Sequence, residues 1–454
     1  MNSKTPICDF VKEYIDSETV RLHMPGHKGV SFVGPESFDI TEIDGADVLY
    51  DTTAVPGCDV SNGIIRRSEK ITSDLFGSGA TLFSTEGSSL CIRAMLFMTS
   101  QYAALHGKNN CIVAPRNSHK TFVTAAALLD IDVKWIFSTG GNILSYDFDL
   151  NELDRVLAEV KPVALYITSP DYLGNVADIE EISRVCKSRG VLLLVDNAHG
   201  AYLKFLPKSL HPIDLGADLC CDSAHKTLPA LTGAAYLHIS KNADEFFVKN
   251  ASFAMSMFAS TSPSYLILQS LDLMNEYLSD KFSSALSETI ERVKILKEFL
   301  DSKGYETVGC EPLKLTLKTK PYGYRGNDFA DILKSKNIVC EFSDPDFVVM
   351  MFTPQISVES IDYLTNVFAE INKKPGICDQ IPRLCVPKVC MSLKQAVMAP
   401  FEIVSVKESV GRISAAPSVN CPPAVPVVVC GEVIDESAVK CFEYYGIETV
   451  AVVK

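Results

Sequence analysis

The stretch ADLCCDSAHKT, residues 217–227, joins an apolar run to a polar segment that holds a histidine and a lysine. The apolar half is typical of a buried β-strand, so Lys226 is expected close to the end of a strand. Lysine side chains are mostly exposed in folded proteins, so taken alone this residue is most simply interpreted as a surface lysine on a loop. The sequence on either side of the stretch changes that interpretation.

Similar apolar runs recur between about residues 80 and 240, with helical patterns between them. The candidate strands are TLFS (81–84), NCIVA (110–114), VKWIF (133–137), VALYIT (163–168), VLLLV (191–195), ADLCC (217–221) and AAYLHI (234–239). This alternation predicts an α/β fold with a mostly parallel, seven-stranded sheet covered by helices. The clearest helix is predicted at residues 178–189, where Asp178 and Glu181 have the spacing of a capping box and Gly190 supplies a stop.

The remaining sequence predicts further, smaller units. A long helical pattern at 265–300 is interpreted as the exit from the large domain. Further strand candidates are LKLTLK (313–318), IVCEF (338–342), FVVMMF (347–352), VPVVVC (425–430) and ETVAVV (448–453). The predicted organisation is an N-terminal arm at 1–20, a large domain at 21–280, a small α+β domain at 281–372 and a C-terminal module at 385–454.

The composition excludes several classes of protein. Of the 454 residues 47% are hydrophobic, yet no apolar run approaches the roughly 18 residues that span a bilayer. The amino terminus lacks the apolar core of a signal peptide, so the protein is expected in the cytoplasm without a membrane partner. The net charge of −14 argues against nucleic acid as a partner. The 15 cysteines are scattered without metal-ligand spacing, so neither a disulfide framework nor a metal site is predicted.

A carboxylate ends another of the apolar runs. Asp196 directly follows VLLLV, at the expected carboxyl end of a central strand, where open α/β sheets bind their ligands. An aspartate at such a position can also be a helix cap or a turn former. In the functional interpretation it is the counter-ion of a protonated heterocycle. An aspartate opposite a lysine that forms a Schiff base is the pairing that pyridoxal phosphate requires.

Two further segments fit that cofactor. STEGSS (84–89) lies between a candidate strand and a helical stretch at 90–105, where free N–H groups, hydroxyls and the helix dipole favour a phosphate. His119, in PRNSHK (115–120), follows the next strand and could lie flat on a cofactor ring. Each feature alone has a plain structural interpretation, as a turn or as a structural histidine. In this order, however, they match the arrangement of fold-type I pyridoxal-phosphate enzymes.

The chain resembles the ornithine/lysine/arginine decarboxylase family of fold-type I enzymes, particularly its shorter bacterial members. The motifs that carry the resemblance are RLHMPGHKG (21–29), DITE (39–42), DNAHGA (196–201), SAHKTLPAL (223–231), STSPSY (260–265), GRI (411–413), PPAVP (422–426) and GE (431–432). They extend over most of the chain, and the motif around the lysine is highly specific.

The resemblance implies a role for each matching residue. Lys226 would be the Schiff-base lysine, Asp196 the partner of the ring nitrogen, and His119 the residue that stacks on the ring. The other expected cofactor contacts are Gly87, Ser88, Ser89, Ala198, His199, Ser223 and His225. Ser260 or its neighbour Thr261 would reach the phosphate of the other subunit, which implies a homodimer with shared active sites. His23 and Glu432 would contact the substrate.

The implied reaction is decarboxylation of arginine, lysine or ornithine to carbon dioxide and the corresponding diamine or polyamine, a lyase reaction of amino-acid metabolism and polyamine biosynthesis. His225 or the released Lys226 amine would return a proton to the α-carbon. The substrate stays open because Asn197, Tyr202 and Glu86 depart from the family's usual residues. The alternatives are another fold-type I enzyme, a transaminase or lyase, and a non-catalytic paralogue.

Overall fold

The computed structural model describes residues 4–16, 63–138, 143–416 and 425–454. The expected substrate contact His23, the motifs at 21–29 and 39–42, and part of PPAVP lie outside the described residues. The described residues divide into two compact units. The first is drawn from Met1–Met98 and Asn197–Ser284, and the second from Thr99–Asp196 and Ala285–Lys454.

The α-helices of the described ranges are α1 Pro6–Asp16, α2 Ile64–Phe76, α3 Gly87–Leu105, α4 Lys120–Leu128, α5 Leu150–Val160, α6 Ile179–Arg189, α7 Ala224–Thr227, α8 Glu245–Ser256, α9 Tyr265–Asp280, α10 Phe282–Ser302, α11 Gly326–Ser335, α12 Val358–Glu370, α13 Leu393–Met398 and α14 Glu436–Tyr444. Within these ranges, none of the helices is both long enough and apolar enough to cross a membrane.

The strands are β1 Ala80–Ser84, β2 Cys111–Pro115, β3 Asp132–Ile136, β4 Ala164–Thr168, β5 Leu192–Asp196, β6 Leu219–Asp222, β7 Ala235–Ile239, β8 Glu306–Val308, β9 Lys314–Lys318, β10 Phe342–Ser343, β11 Phe347–Met351, β12 Phe401–Ser405 and β13 Thr449–Val453. The first seven belong to one sheet in the order β1-β7-β6-β5-β4-β2-β3. The predicted α/β fold with a mostly parallel, seven-stranded sheet is confirmed.

In the first unit, β7 runs antiparallel to both of its neighbours, β1 and β6. All three strands are buried along their whole length, as expected for a sheet with both faces covered. The N-terminal helix α1 is tied to α9 through Asp272, whose carboxylate accepts hydrogen bonds from the backbone N–H groups of Ile7 and Cys8 at 3.0 and 2.9 Å. These N–H groups have no partner inside the first turn of α1, so Asp272 caps the helix.

In the second unit, β2 pairs in parallel with β3 and β4, and β4 pairs in parallel with β5. The predicted helix at 178–189 forms as α6, with the Asp178 side chain accepting from the Glu181 N–H at 3.1 Å and Gly190 in the left-handed conformation at the end. Two smaller antiparallel sheets follow, one with the order β10-β11-β9-β8 and one formed by β12 and β13.

The helical pattern at 265–300 forms two helices, α9 and α10, which are separated at Lys281, where Phe282 packs against Phe205 and Tyr277. Two sequence predictions need correction. The candidate strand at 338–342 is reduced to its last residue, which begins β10. The candidate strand at 425–430 is wrong, because this buried segment gives its backbone hydrogen bonds to side chains: the carbonyl of Val427 accepts from Arg116, and the N–H of Val429 donates to Glu432.

Candidate active site

Lys226 lies on a short helix directly after a buried strand. β6 ends at Asp222, and Lys226 lies in α7. The Lys226 ammonium nitrogen lies 3.0 Å from Nε2 of His199, in the segment that follows β5. His225 is fixed separately, since its Nδ1 lies 2.9 Å from the carbonyl oxygen of Ala234. A carbonyl can only accept, so Nδ1 carries the proton and Nε2 of the neutral ring is an acceptor.

A pair of hydroxyls lies at the start of α3. Ser223 Oγ donates to Ser88 Oγ at 2.8 Å, and Ser89 follows in the same first turn of this 19-residue helix. Gly87 opens the helix with a φ of +71°, and a Cβ atom placed there would meet nothing within 4 Å. The first N–H groups of a helix lack partners within it and carry the positive end of its dipole. Hydroxyls, N–H groups and open space at one helix terminus fit the phosphate of pyridoxal phosphate.

The loop that carries Ser260 and Thr261 is tied to the same turn. The backbone N–H of Ser260 donates to Oε1 of Glu86 at 2.6 Å, and both Ser260 and Thr261 are exposed. Glu86 is one of the residues that depart from the family's pattern. Its carboxylate therefore has a partner in this chain that sequence analysis did not anticipate.

The predicted ring-nitrogen partner is the last residue of β5. Asp196 is 3% exposed, and its Oδ2 accepts from the hydroxyl of Tyr166 at 3.1 Å. Tyr166 is itself held by Phe122, with ring centroids 4.3 Å apart. His119 lies in the same unit as the N-cap of α4, where its Nδ1 accepts from the Thr121 N–H at 3.2 Å. Because Nδ1 accepts, the neutral His119 ring carries its proton on Nε2.

Sequence analysis missed a buried polar network beneath the lysine loop, centred on Asp222. One oxygen of Asp222 accepts from the side-chain amide of Asn197 at 2.7 Å, and the other lies 3.0 Å from Nε2 of His211 and 3.2 Å from Nε2 of His238. Burial acts to raise the pKa of Asp222, but its two histidine partners hold it below the ordinary value. Burial lowers the pKa of His238. The carboxylate therefore stays charged inside the core.

This network connects the two motifs of the site along the chain. Asn197 follows Asp196, and Asp222 precedes Ser223 of the lysine loop. Asn197 departs from the family's acid, and here it donates to the acid at position 222. His211, Cys220 and Asp222 also have potential metal-ligand atoms within 4.8 Å of one another. Hydrogen bonds to Asp222 account for the positions of these side chains, so we assign no metal to them.

Glu432, the expected substrate contact of the C-terminal module, has a different partner. Its two carboxylate oxygens accept from Arg116 at 3.0 and 3.1 Å, and the exposed fractions of the two side chains are 7% for Arg116 and 2% for Glu432. Arg116 also donates to the carbonyl of Val427 at 3.0 Å and lies 5.0 Å from the ring centroid of Trp135. Burial raises the pKa of Glu432, and the guanidinium of Arg116 opposes that rise. The pair ties the C-terminal module to the loop that carries His119.

We expect Glu432→Gln to lower the free energy of unfolding by about 3 kcal/mol, because the buried guanidinium of Arg116 loses its counter-charge. Urea denaturation followed by circular dichroism measures the change. The matched control is the double variant Arg116→Met with Glu432→Leu, which should recover most of the stability because an apolar pair has no charge to desolvate. A Glu432→Gln protein of normal stability with a raised KM would instead support the role of substrate contact.

A lysine that follows a buried strand, a hydroxyl-lined helix terminus and a buried strand-end carboxylate on this sheet define a fold-type I pyridoxal-phosphate enzyme. The sequence family described as "Orn/Lys/Arg decarboxylase, major domain" matches residues 5–311, and its C-terminal domain matches residues 385–450. The chain belongs to this family. It is a pyridoxal-phosphate-dependent amino-acid decarboxylase.

The relatives agree with that assignment, and a solved structure agrees with the fold. An arginine decarboxylase of Bacillus subtilis is 29% identical over 95% of this chain and 92% of its own length. An arginine decarboxylase of Halalkalibacterium halodurans is 28% identical over 96% of this chain and 92% of its own. The constitutive lysine decarboxylase of E. coli matches in structure with a TM-score of 0.78 over 99% of this chain and 82% of its own, at 18% identity. At that identity the structural likeness supports the fold alone.

Proposed function

We propose that this chain decarboxylates a basic amino acid, with arginine as the preferred substrate and agmatine and carbon dioxide as the products. The observation that carries the proposal is the 3.0 Å contact between the Lys226 amine and His199, on a loop whose Ser223 also contacts Ser88 at the terminus of α3. Arginine is chosen among the basic amino acids because the two relatives just described are both named arginine decarboxylase.

The proposed roles follow from the contacts of each residue. When bound, pyridoxal phosphate supplies an electron sink for the carbon that loses carbon dioxide. Ser88, Ser89 and Ser223 hold its phosphate, together with the N–H groups that begin α3. Lys226 would bind it covalently, and Asp196 would keep its ring nitrogen protonated. His119 and the segment Ala198–His199 would contact the ring.

We assign the proton that returns to the α-carbon to the Lys226 amine, with His199 as its hydrogen-bonding partner. The 3.0 Å separation lets the imidazole of His199 exchange a proton with the amine directly. His225 was the other candidate in sequence analysis. The structure engages its Nδ1 with the carbonyl of Ala234, so only Nε2 of this ring is left to exchange a proton, and we prefer Lys226 because of its contact with His199.

We extend the proposal to a cytoplasmic homodimer. The loop with Ser260 and Thr261 follows α8, and Phe253 in α8 and Met257 directly after it are each 52% exposed. Large apolar side chains next to a polar loop are typical of a surface that a partner covers. A second copy on this surface would bring Ser260 or Thr261 to the phosphate of the neighbouring active site.

A substrate panel tests the proposed function. The purified protein with pyridoxal phosphate is expected to release carbon dioxide from arginine at least about tenfold faster than from lysine or ornithine, expressed as kcat/KM. The assay measures carbon dioxide and amine together. Formation of a keto acid in place of carbon dioxide would assign the chain to transamination, and a yellow protein without turnover on the panel would favour a non-catalytic paralogue.

A further inference from the structure

A cavity of about 280 Å³ lies in the second unit, between the ends of β2 and β4 and the loops that precede α5 and α6. Its polar lining holds three carboxylates, and its members are Asp147, Asp171, Asp178, Asn117, Thr168, Asn175 and Tyr146. Among the described residues that line the cavity there is no lysine, arginine or histidine. A lining of this kind favours a ligand that carries positive charge and many hydrogen-bond donors.

Two acceptors of this lining are buried without a partner. Oδ1 of Asn117 and Oγ1 of Thr168 have no hydrogen-bond partner within the described part of the chain, and Asn117 is only 7% exposed. A buried acceptor without a partner costs free energy that a donor on a ligand would recover. The carboxylate of Asp171 is already engaged, since it accepts from the N–H groups of Leu173 and Asn175. Asp147 and Asp178 are exposed and add negative charge at the rim.

The position of Thr168 places the cavity beside Asp196, the proposed partner of the cofactor's ring nitrogen. Thr168 on β4 pairs in register with Asp196 on the adjacent parallel strand β5. Paired residues of neighbouring strands project to the same face of a sheet, and residues two apart on one strand do so as well. Tyr166, whose hydroxyl donates to Asp196, therefore shares this face with Thr168.

The apolar part of the lining favours one kind of cation. Tyr146 and Phe148 line the cavity with their rings edge to face, at a centroid separation of 4.7 Å. A guanidinium is planar, stacks on aromatic rings and spreads its N–H donors in a fixed fork, whereas an ammonium is a compact, strongly hydrated charge. From these contacts we infer that the cavity binds the guanidinium of arginine or agmatine, with Asn117 and Thr168 as buried acceptors and Asp147 and Asp178 as counter-charges. This inference rests on the proposed function for the identity of the ligand.

Agmatine binding to the borohydride-reduced holoenzyme, measured by calorimetry, tests the cavity without turnover. Asp147→Asn and Asp178→Asn are each expected to raise the Kd for agmatine about five- to tenfold, because each removes a charged acceptor. Asparagine caps helices as well as aspartate does, so Asp178→Asn leaves the start of α6 intact. The matched control is Glu180→Gln, an exposed acid two residues further along that does not line the cavity, and it should leave the Kd unchanged.

Thr168→Val gives a second, independent readout. It should weaken agmatine binding about fivefold without lowering the midpoint of unfolding, because the hydroxyl it removes has no partner among the residues that the structure describes. Unchanged Kd values in Asp147→Asn, Asp178→Asn and Thr168→Val would overturn the inference, as would an equal loss in Glu180→Gln. If the wild-type protein decarboxylates no basic amino acid, the proposed function fails, while the agmatine titration still decides the cavity.

Discussion

Lys226→Ala is expected to lower kcat for carbon dioxide release by on the order of 10⁴–10⁶, because it removes the amine proposed to bind the cofactor covalently. The same amine is the proposed proton donor, so two steps fail together. Lys226 is itself half-buried in the short helix α7, and the substitution removes a side chain whose amine contacts His199, so the fold should persist. Turnover and the yellow colour are measured on protein reconstituted with pyridoxal phosphate, followed by mass spectrometry after borohydride reduction.

Lys226→Arg is the matched control for charge. Arginine retains a cation next to His199, but its guanidinium stays protonated and cannot serve as the nucleophile. Both variants should therefore be inactive and should carry no cofactor after reduction. Covalent cofactor in either variant would show that another residue forms the Schiff base, and the assignment of Lys226 would be wrong.

Most strands of the main sheet could be predicted because they are buried on both faces, unlike the edge strand β3. Such strands are short, continuous apolar runs, and VLLLV and AAYLHI stand out between polar loops for that reason. A continuous apolar run also predicted a strand at VPVVVC (425–430), and there the prediction is wrong. These residues are buried as completely as a central strand, but Arg116 and Glu432 take up backbone groups of the segment. Burial alone does not distinguish a strand from a buried loop.

Candidate cofactor residues could be proposed from the sequence because most of them lie just after a strand within a local motif. Long-range pairs left no such signal. Arg116 and Glu432 are separated by 316 positions, and nothing in either segment marks the two residues as partners. Glu432 could be noticed as an acid of a family motif, but its partner could not, so the sequence predicted a substrate contact without the ion pair that the structure shows. The Asp222 network escaped for the same reason, since its members come from separate segments of the chain.

The second large effect is expected at Asp196. Asp196→Asn should lower kcat by about 10³-fold, because the amide cannot hold the ring nitrogen of the cofactor protonated and a fixed charge aimed at the reacting system is lost. Asparagine has nearly the same shape, and its carbonyl oxygen can still accept from Tyr166. The measurement is kcat for carbon dioxide release at saturating substrate and cofactor.

Tyr166→Phe is the control that separates charge from position. It removes the hydroxyl that donates to Asp196 but leaves the carboxylate in place. One hydrogen bond contributes about 1 kcal/mol, so the expected loss in kcat is about fivefold. Tyr166 is in this sense a positioning residue, and an equally large loss in both variants would indicate that orientation of Asp196 matters more than its charge.

The resistance to urea distinguishes two explanations of an Asp196→Asn defect. Asp196 either serves the cofactor or mainly holds its neighbours in place, and the two roles predict different effects on unfolding. Asp196 is 3% exposed, so its charge is desolvated in the folded protein, and neutralising a buried charge removes that penalty. If Asp196 serves the cofactor, Asp196→Asn should unfold at the same urea concentration as the wild-type protein or a higher one, while turnover falls about 10³-fold. If Asp196 mainly holds β5 and Tyr166 in place, stability and turnover should fall together. A variant that is both stable and active would remove Asp196 from the catalytic site.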